Sequence, residues 1–189
     1  MGNWNEAIID EDVITEEQAR ELAAVIVAWL VEEQIIEDRQ CDCCLGDGAC
    51  YPPGRRFMQA CGGSESDAFN GNYADFSQDA VNGIRVVASR WATVNMQGEF
   101  GPVPCPACAA PMPIDDLYVA GNLWIEQVSD TVTCSSCGRA SILPKWPHPD
   151  IRFVALAFEF WNWSPLSGEF VAEIGKRLGH SVTTMIGKA

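Results

Sequence analysis

Two short cysteine motifs decide how this chain folds. The sequence reads CPAC at residues 105–108 and CSSCG at residues 134–138, and 25 residues lie between the two motifs. Two C-x-x-C pairs at such a distance are typical of a zinc site with four thiolate ligands, because each pair turns both sulfurs toward one tetrahedral ion. The predicted ligands are Cys105, Cys108, Cys134 and Cys137. Iron bound in the rubredoxin manner and two unrelated thiol pairs are the alternatives.

The residues that follow the two motifs differ. Gly138 follows the second motif and can adopt a positive φ where the chain turns back. Ala109 stands in the same place after the first motif, so we expect that turn to be built differently. Four thiolates leave no coordination position for water, and catalytic zinc sites usually keep one open. We therefore predict one structural zinc ion in a zinc ribbon over residues 102–143.

The other five cysteines form a less regular group in a Cys-rich loop, residues 40–62. The loop contains CDCC at residues 41–44, and Cys50 and Cys61 follow. A second metal or redox cluster is one interpretation, with these members: Cys41, Cys44, Cys50 and Cys61. Free thiols are the second interpretation. The third is a redox disulfide whose reactive thiolate is stabilised by Arg55 or Arg56.

The first helix is the best-marked element outside the zinc ribbon. Thr15 and Gln18 form a capping box, and apolar residues follow at helical spacing, so a helix is predicted over residues 15–33. The run IRVVASRW at residues 84–91 predicts a strand. These elements, together with the Cys-rich loop, form an N-terminal α+β part over residues 1–101.

The C-terminal residues 144–189 predict a β-α-β unit that completes the core of the N-terminal part. Residues 151–163 form an apolar run that we expect to be one central strand. A helix follows, with Gly179 as its C-cap, and residues 181–186 make a final strand. The predicted fold class is therefore α+β: a small α/β sandwich with an inserted four-cysteine zinc ribbon.

The tail of the chain also carries a recognisable pattern. It reads FEFWNWSP at residues 158–165, continues with EFV at 169–171 and has LGH at 178–180. This pattern resembles the ending of a group of uncharacterised bacterial proteins in which a two-knuckle zinc ribbon precedes the tail. The resemblance covers about residues 105–189 and implies the ribbon and the β-α-β unit, with no activity attached.

The charge of the chain is strongly negative and unevenly distributed. Among 189 residues, 26 are acidic and 12 are basic, which gives a formal net charge of −14. Residues 1–40 hold eleven of the acids and two of the bases. A surface of this sign attracts basic proteins and repels nucleic acid. Residues 101–150, around the predicted zinc, hold five acids and two bases, so direct nucleic-acid binding is not expected there.

The apolar segments are too short for a membrane protein. The longest near-continuous apolar run, residues 22–31, is about half the length that a membrane span needs. Residues 1–6 carry no positive side chain of the kind that opens a signal peptide. We therefore expect a cytoplasmic protein with no membrane association.

The sequence contains no G-x-S-x-G, G-x-x-x-x-G-K-[ST], H-E-x-x-H or G-x-G-x-x-G motif. Glu159 is the strongest candidate for a catalytic group, because it interrupts an apolar run between two phenylalanines. Burial there would raise its pKa into a range that suits proton transfer. Exposure to solvent near the end of the strand is the plainer expectation.

These observations favour a non-catalytic acidic zinc-ribbon protein that binds and neutralises a basic protein partner, as an immunity protein or inhibitor does. The alternatives are a zinc-ribbon regulator associated with nucleic acid or transcription machinery, and an enzyme with a site around Glu159. The expected partner surface consists of Glu11, Asp12, Glu16, Glu17, Trp161 and Trp163. The two tryptophans contribute to it only if they are exposed, and a position in the core is the other expectation for them.

Overall fold

The computed structural model describes residues 2–13, 15–62, 76, 79–95 and 97–188. Within them the chain is a mixed α+β protein whose helices are α1 (Glu16–Glu32), α2 (Ile114–Ile125) and α3 (Gly168–Leu178). Its strands, in chain order, are β1 (Trp4–Asp10), β2 (Ala49–Tyr51), β3 (Ile84–Val87), β4 (Trp91–Val94), β5 (Val103–Pro104), β6 (Pro111–Met112), β7 (Thr131–Thr133), β8 (Ala140–Ile142), β9 (Ile151–Val154), β10 (Ala157–Trp161) and β11 (Val182–Lys188). None of these helices is long and apolar enough to cross a membrane.

Five strands form the main sheet, in the order β11-β1-β10-β3-β2, and every neighbouring pair is antiparallel. Since β1 lies between β10 and β11, those two strands run parallel to each other. They are joined through α3, so the predicted β-α-β unit is present with a third strand inserted into it. No strand is predicted from the sequence at residues 4–10, yet β1 lies inside the sheet.

The two helices that cover this sheet begin at caps that the sequence encodes. Thr15 Oγ1 accepts a hydrogen bond from Gln18 N at 3.3 Å, and Ser167 Oγ accepts one from Phe170 N at 3.1 Å. α3 ends at Gly179, whose φ of +71° is the left-handed conformation that favours glycine. The apolar faces of α1 and α3 then pack on one face of the sheet.

Two of the predicted strands are wrong in one respect, because each divides into two. The expected single strand over residues 151–163 is β9 followed by β10, with a break at Ala155 and Leu156. The expected strand over residues 84–91 is β3, and β4 begins only at its end. The halves belong to different sheets: β10 pairs with β3 in the main sheet, and β9 pairs with β4 in a two-stranded sheet. An apolar run does not reveal such a change, because the residues are buried on both sides of the break.

Three groups of buried hydrophobic side chains form around these sheets among the described residues, and the two largest are called the larger core and the smaller core. The larger core lies between the main sheet and the helices α1 and α3, and Phe158 and Trp163 are among its fully buried side chains. The smaller core surrounds the predicted zinc ribbon and contains Leu117 of α2. Ile151 and Phe153 of β9 also belong to the smaller core, so β9 packs the predicted ribbon against the rest of the chain.

Trp161 and Trp163 are buried and do not contribute to a partner surface. Trp161 is 4% exposed and Trp163 is 1% exposed. Trp163 Nε1 donates a hydrogen bond to the carbonyl oxygen of Asn82 at 2.6 Å, and its ring meets that of Phe160 edge-on. Both indole rings therefore pack in the interior of the protein.

Candidate metal centres

Two β-hairpins bring the predicted zinc ligands together. Strands β5 and β6 flank the first cysteine pair, and strands β7 and β8 flank the second pair. Helix α2 connects the hairpins and buries Leu117 and Trp124 in the smaller core. The four Sγ atoms lie within 4.8 Å of one another. They belong to Cys105, Cys108, Cys134 and Cys137, which we call cluster 1.

The two turns of cluster 1 have the same backbone conformation. Ala109 has a φ of +59° and Gly138 has a φ of +70°. In each turn this residue donates its backbone N–H to the carbonyl oxygen of the first cysteine, Cys105 or Cys134, at 2.9 Å. The expectation of a different turn at Ala109 is therefore wrong. The hydrogen bond holds alanine in the left-handed region against a cost of about 1–2 kcal/mol.

The sulfur separations in cluster 1 fit a tetrahedral ion. Cys105 Sγ lies 4.0 Å from Cys137 Sγ, and Cys108 Sγ lies 3.8 Å from Cys134 Sγ. Zinc bound to thiolates at about 2.3 Å places the sulfurs of a regular tetrahedron about 3.8 Å apart. Cys105 Sγ also accepts a hydrogen bond from Ala107 N at 3.4 Å, and such a donor favours the thiolate form.

Neighbouring groups shift the pKa values of two cluster 1 thiols in opposite directions. The backbone N–H groups of Cys137 and then Ser136 lower the pKa of Cys134 to about 6. A backbone hydrogen bond at Ala110 lowers the pKa of Cys108, but the neighbouring sulfurs and desolvation together raise it to about 12. A cation among the four sulfurs would favour the thiolate form at all of them.

A second set of sulfurs meets beside the main sheet, and its membership differs from the expected one. Its members, which we call cluster 2, are Cys41, Cys43, Cys44 and Cys50. Disulfides join Cys41 to Cys43 and Cys44 to Cys50. Between the two disulfides, Cys50 Sγ lies 3.7 Å from Cys41 Sγ and 3.7 Å from Cys43 Sγ. In their thiolate forms both clusters can bind a metal ion. In cluster 2 the sulfurs of Cys41, Cys43 and Cys50 lie within 4.8 Å of one another, and Cys44 is joined to Cys50.

Cys61 does not belong to cluster 2, although the sequence suggested it as a fourth ligand. It is buried in the larger core, with Sγ 4.0 Å from the carbonyl oxygen of Phe57. Burial, with a smaller contribution from the charge of Glu6, raises the pKa of this thiol to about 11. Arg56, one of the two arginines expected to stabilise a reactive thiolate, forms an ion pair with Glu33 at 3.6 Å. The expected set of Cys41, Cys44, Cys50 and Cys61 is therefore corrected, with Cys43 in place of Cys61.

The start of β3 shapes cluster 2. The backbone N–H groups of Asn82 and Gly83 both donate to the carbonyl oxygen of Cys43, at 3.0 and 2.8 Å. A Cβ atom at Gly83 would lie 2.7 Å from both Cys43 Sγ and Cys50 Sγ, and 2.9 Å from Cys44 Sγ. Only a residue without a side chain fits against these sulfurs. Sequence reasoning missed Cys43 and Gly83, and the available signals were the C-x-C spacing of the loop and a glycine directly before a strand.

Glu159 is buried and paired, so the expectation of a solvent-facing carboxylate is wrong. It is 1% exposed. Arg85 Nε and Nη2 donate to its two oxygens at 2.7 and 2.8 Å, and Thr93 Oγ1 donates to one of them at 3.4 Å. Arg85 Nη1 donates to the carbonyl oxygen of Asp47, in the loop of cluster 2, at 3.1 Å. A carboxylate in such a bidentate ion pair holds Arg85 in place and is poorly suited to act as a general base.

The four acidic residues of the expected partner surface lie next to the start of α1. Glu11, Asp12 and Glu17 are exposed, whereas Glu16 is half-buried. Glu16 Oε1 accepts a hydrogen bond from Gln127 Nε2 at 3.1 Å, which ties α1 to the region of cluster 1. Asp12 Oδ2 accepts a hydrogen bond from a backbone N–H at 3.0 Å. Glu11 and Glu17 are therefore the acids of this group best placed to meet a partner.

A cavity of about 750 Å³ lies between α1 and the strands β2 and β3. Small and apolar side chains form most of its wall, and the charged residues that line it are Arg20, Asp38 and Asp47. None of the described residues in its wall is a cysteine, histidine or lysine.

The fold and the two clusters define an α+β protein with two separate groups of four cysteines. Comparison with protein-family models, with curated proteins and with solved structures finds no match to this chain. The function is therefore inferred from the clusters themselves and from the charge of the surface.

Proposed function

We propose that this chain is a non-catalytic zinc protein, in which cluster 1 holds one structural Zn²⁺ and the acidic surface binds a basic protein partner. The observation that carries the proposal is the meeting of four cysteine sulfurs from two hairpins, at separations of 3.8 and 4.0 Å. Four thiolates suit Zn²⁺, which has no geometric preference of its own and accepts a regular tetrahedron. They would also fill every coordination position, so that neither water nor substrate has access to the ion.

The packing around cluster 1 supports a structural role for this ion. Strands β5 and β6 are two residues long, and β7 and β8 are three residues long. Hairpins of this size bury too little apolar surface to be stable by themselves. Cys105 and Cys134 are buried in the smaller core, whereas Cys108 and Cys137 are exposed. In this proposal residues 102–143 are a zinc ribbon with a helix between its two hairpins, and metal binding supplies much of its folding free energy.

The charge of the chain supports a basic protein as the partner. The formal net charge is −14, and residues 1–40 carry eleven of the acids. Glu11 and Glu17 present part of this charge at the surface near the start of α1. Such a field speeds the encounter with a positively charged protein and disfavours contact with nucleic acid. Neutralisation of a basic toxin or nuclease in the cytoplasm is the form of binding that we propose.

The partner is tested by a pull-down at low salt with the tagged, reduced full-length chain, with and without nuclease. We expect a stoichiometric basic protein that nuclease treatment does not remove. A double variant with Glu11→Gln and Glu17→Gln should bind this protein severalfold more weakly, because electrostatic attraction is lost. The matched control carries Glu99→Gln and Glu169→Gln, which remove two exposed acids elsewhere and should leave binding unchanged. An empty lane, a partner without basic character or equal weakening by both double variants would overturn the proposal.

A further inference from the structure

We propose that cluster 2 is a second zinc site that is sensitive to oxidation. In the reduced chain its four thiolates bind one Zn²⁺. A peroxide converts them to the disulfides Cys41–Cys43 and Cys44–Cys50 and releases the ion. The inference depends neither on zinc in cluster 1 nor on the partner surface.

Three sulfurs of cluster 2, those of Cys41, Cys43 and Cys50, lie within 4.8 Å of one another, which is close enough for one ion. Cys50 Sγ lies 3.7 Å from Cys41 Sγ and 3.7 Å from Cys43 Sγ, although it is bonded to neither of them. This is the separation of about 3.8 Å that four thiolates around one tetrahedral zinc ion require. Reduction of the two S–S bonds lets the bonded sulfurs move apart, and it frees Cys44 Sγ, which is bonded to Cys50, to become the fourth ligand.

Cluster 2 also contains a backbone-to-sulfur hydrogen bond of the kind found at the first cysteine pair of cluster 1. Cys43 N donates to Cys41 Sγ at 3.3 Å, and in cluster 1 Ala107 N donates to Cys105 Sγ at 3.4 Å. In both cases the N–H group two residues after a cysteine points at its sulfur. This contact stabilises a thiolate ligand, whereas the sulfur of a neutral disulfide is a weak acceptor.

The surroundings of cluster 2 hold the loop in place whether or not the ion is bound. Cys41 N donates to the carbonyl oxygen of Cys50 at 3.0 Å, which closes the loop at its two ends. Gly83 provides the space for three of the sulfurs, and Arg85 holds the backbone of Asp47 from the side of the main sheet. We therefore expect oxidation to release the ion without unfolding the main sheet.

The oxidation balances with a peroxide as the oxidant. Each disulfide forms from two thiolates and releases two electrons. One molecule of hydrogen peroxide takes up these two electrons with two protons and becomes two molecules of water. Two molecules of peroxide and four protons therefore convert the zinc-loaded cluster into two disulfides, four molecules of water and free Zn²⁺. Cys41, Cys43 and Cys44 are half-buried, so that a molecule as small as peroxide reaches them.

The test uses the full-length chain, reduced, loaded with zinc and freed of unbound metal. Zinc is counted before and after two equivalents of hydrogen peroxide, and the released ion is measured with a chromogenic chelator. Trypsin cuts after Arg39 and Arg55, so one peptide, residues 40–55, carries all four cysteines. We expect two zinc ions at the start, the release of one of them, and a peptide that is lighter by four hydrogens.

Variants separate cluster 2 from cluster 1. Cys43→Ser should hold one zinc ion before oxidation, whereas the matched control Cys61→Ser should still hold two. A wild-type chain with four unreacted thiols in residues 40–55 and a single zinc ion, or disulfides that form without loss of zinc, would overturn the inference. If Cys43→Ser does not fold, the zinc count and the peptide mass of the wild-type chain are sufficient to test the inference. A failure of cluster 1 to bind zinc gives a different result. In that case Cys134→Ser would bind as many zinc ions as the wild-type chain.

Discussion

The two cysteine clusters are built in different ways, and the difference indicates different roles. Cluster 1 takes two ligands from each of two short hairpins, which share the smaller core with α2 and β9. Cluster 2 takes all four of its sulfurs from residues 41–50 and rests against the main sheet through Gly83 and Arg85. We expect an ion in cluster 1 to hold together two hairpins that do not fold without it. An ion in cluster 2 would be added to a core that folds already, so it can leave without unfolding the chain.

The largest effect is expected from Cys134→Ser. Loss of one ligand should release the ion from cluster 1 and unfold residues 102–143, because zinc binding supplies on the order of 10 kcal/mol to small modules of this kind. Hydrogen exchange of the backbone amides, together with zinc content, measures the effect. Cys61→Ser is the control and should leave both unchanged. Amides in residues 102–143 that stay protected in Cys134→Ser would contradict a structural role for the ion.

Glu159→Ala should destabilise the main sheet and the loop of cluster 2. The guanidinium of Arg85 would be left buried without its carboxylate partner, which costs about 3–5 kcal/mol. Urea unfolding measures this loss. Glu126→Ala removes an exposed acid and should change the free energy of unfolding by no more than about 0.5 kcal/mol. Equal stability of the two variants would show that the ion pair does not hold the loop.

Gly83→Ala should affect cluster 2 and leave cluster 1 intact. The added Cβ atom would lie 2.7 Å from two sulfurs, so the loop must shift, at about 1–3 kcal/mol. We expect the reduced variant to bind one zinc ion instead of two. Gly101→Ala is the matched control, since a Cβ atom there would meet nothing within 4 Å. Two bound ions in Gly83→Ala would contradict the position of the second site.

The smallest expected effect concerns the one cysteine that lies outside both clusters. Burial raises the pKa of Cys61 to about 11, so its thiol stays protonated near neutral pH and reacts slowly with iodoacetamide. The pKa of Cys61 in the folded chain lies above the ordinary value of a thiol. The free energy of unfolding should therefore be unaffected by this thiol at neutral pH and should fall as the pH rises past about 9. Mass spectrometry of the alkylated native chain should find Cys61 unmodified at pH 8, and rapid labelling would contradict its place in the core.

Features that depend on short stretches of sequence could be predicted, and features that depend on tertiary contacts could not. The spacing of the two C-x-x-C motifs and the caps at Thr15 and Gly179 follow from local geometry alone. The place of Cys43 in cluster 2 depends on Gly83, which is distant in the sequence. The burial of Glu159 depends on Arg85, which lies opposite it on β3, and the sequence does not show that these two residues are paired.

The most direct test of cluster 1 is zinc K-edge X-ray absorption on the reduced full-length Cys43→Ser chain. This variant removes a ligand of cluster 2 and leaves all four of cluster 1. The account predicts one bound zinc ion with four sulfur ligands at about 2.3 Å. A shell that contains nitrogen or oxygen at about 2.0 Å, or a chain that retains no zinc, would contradict it.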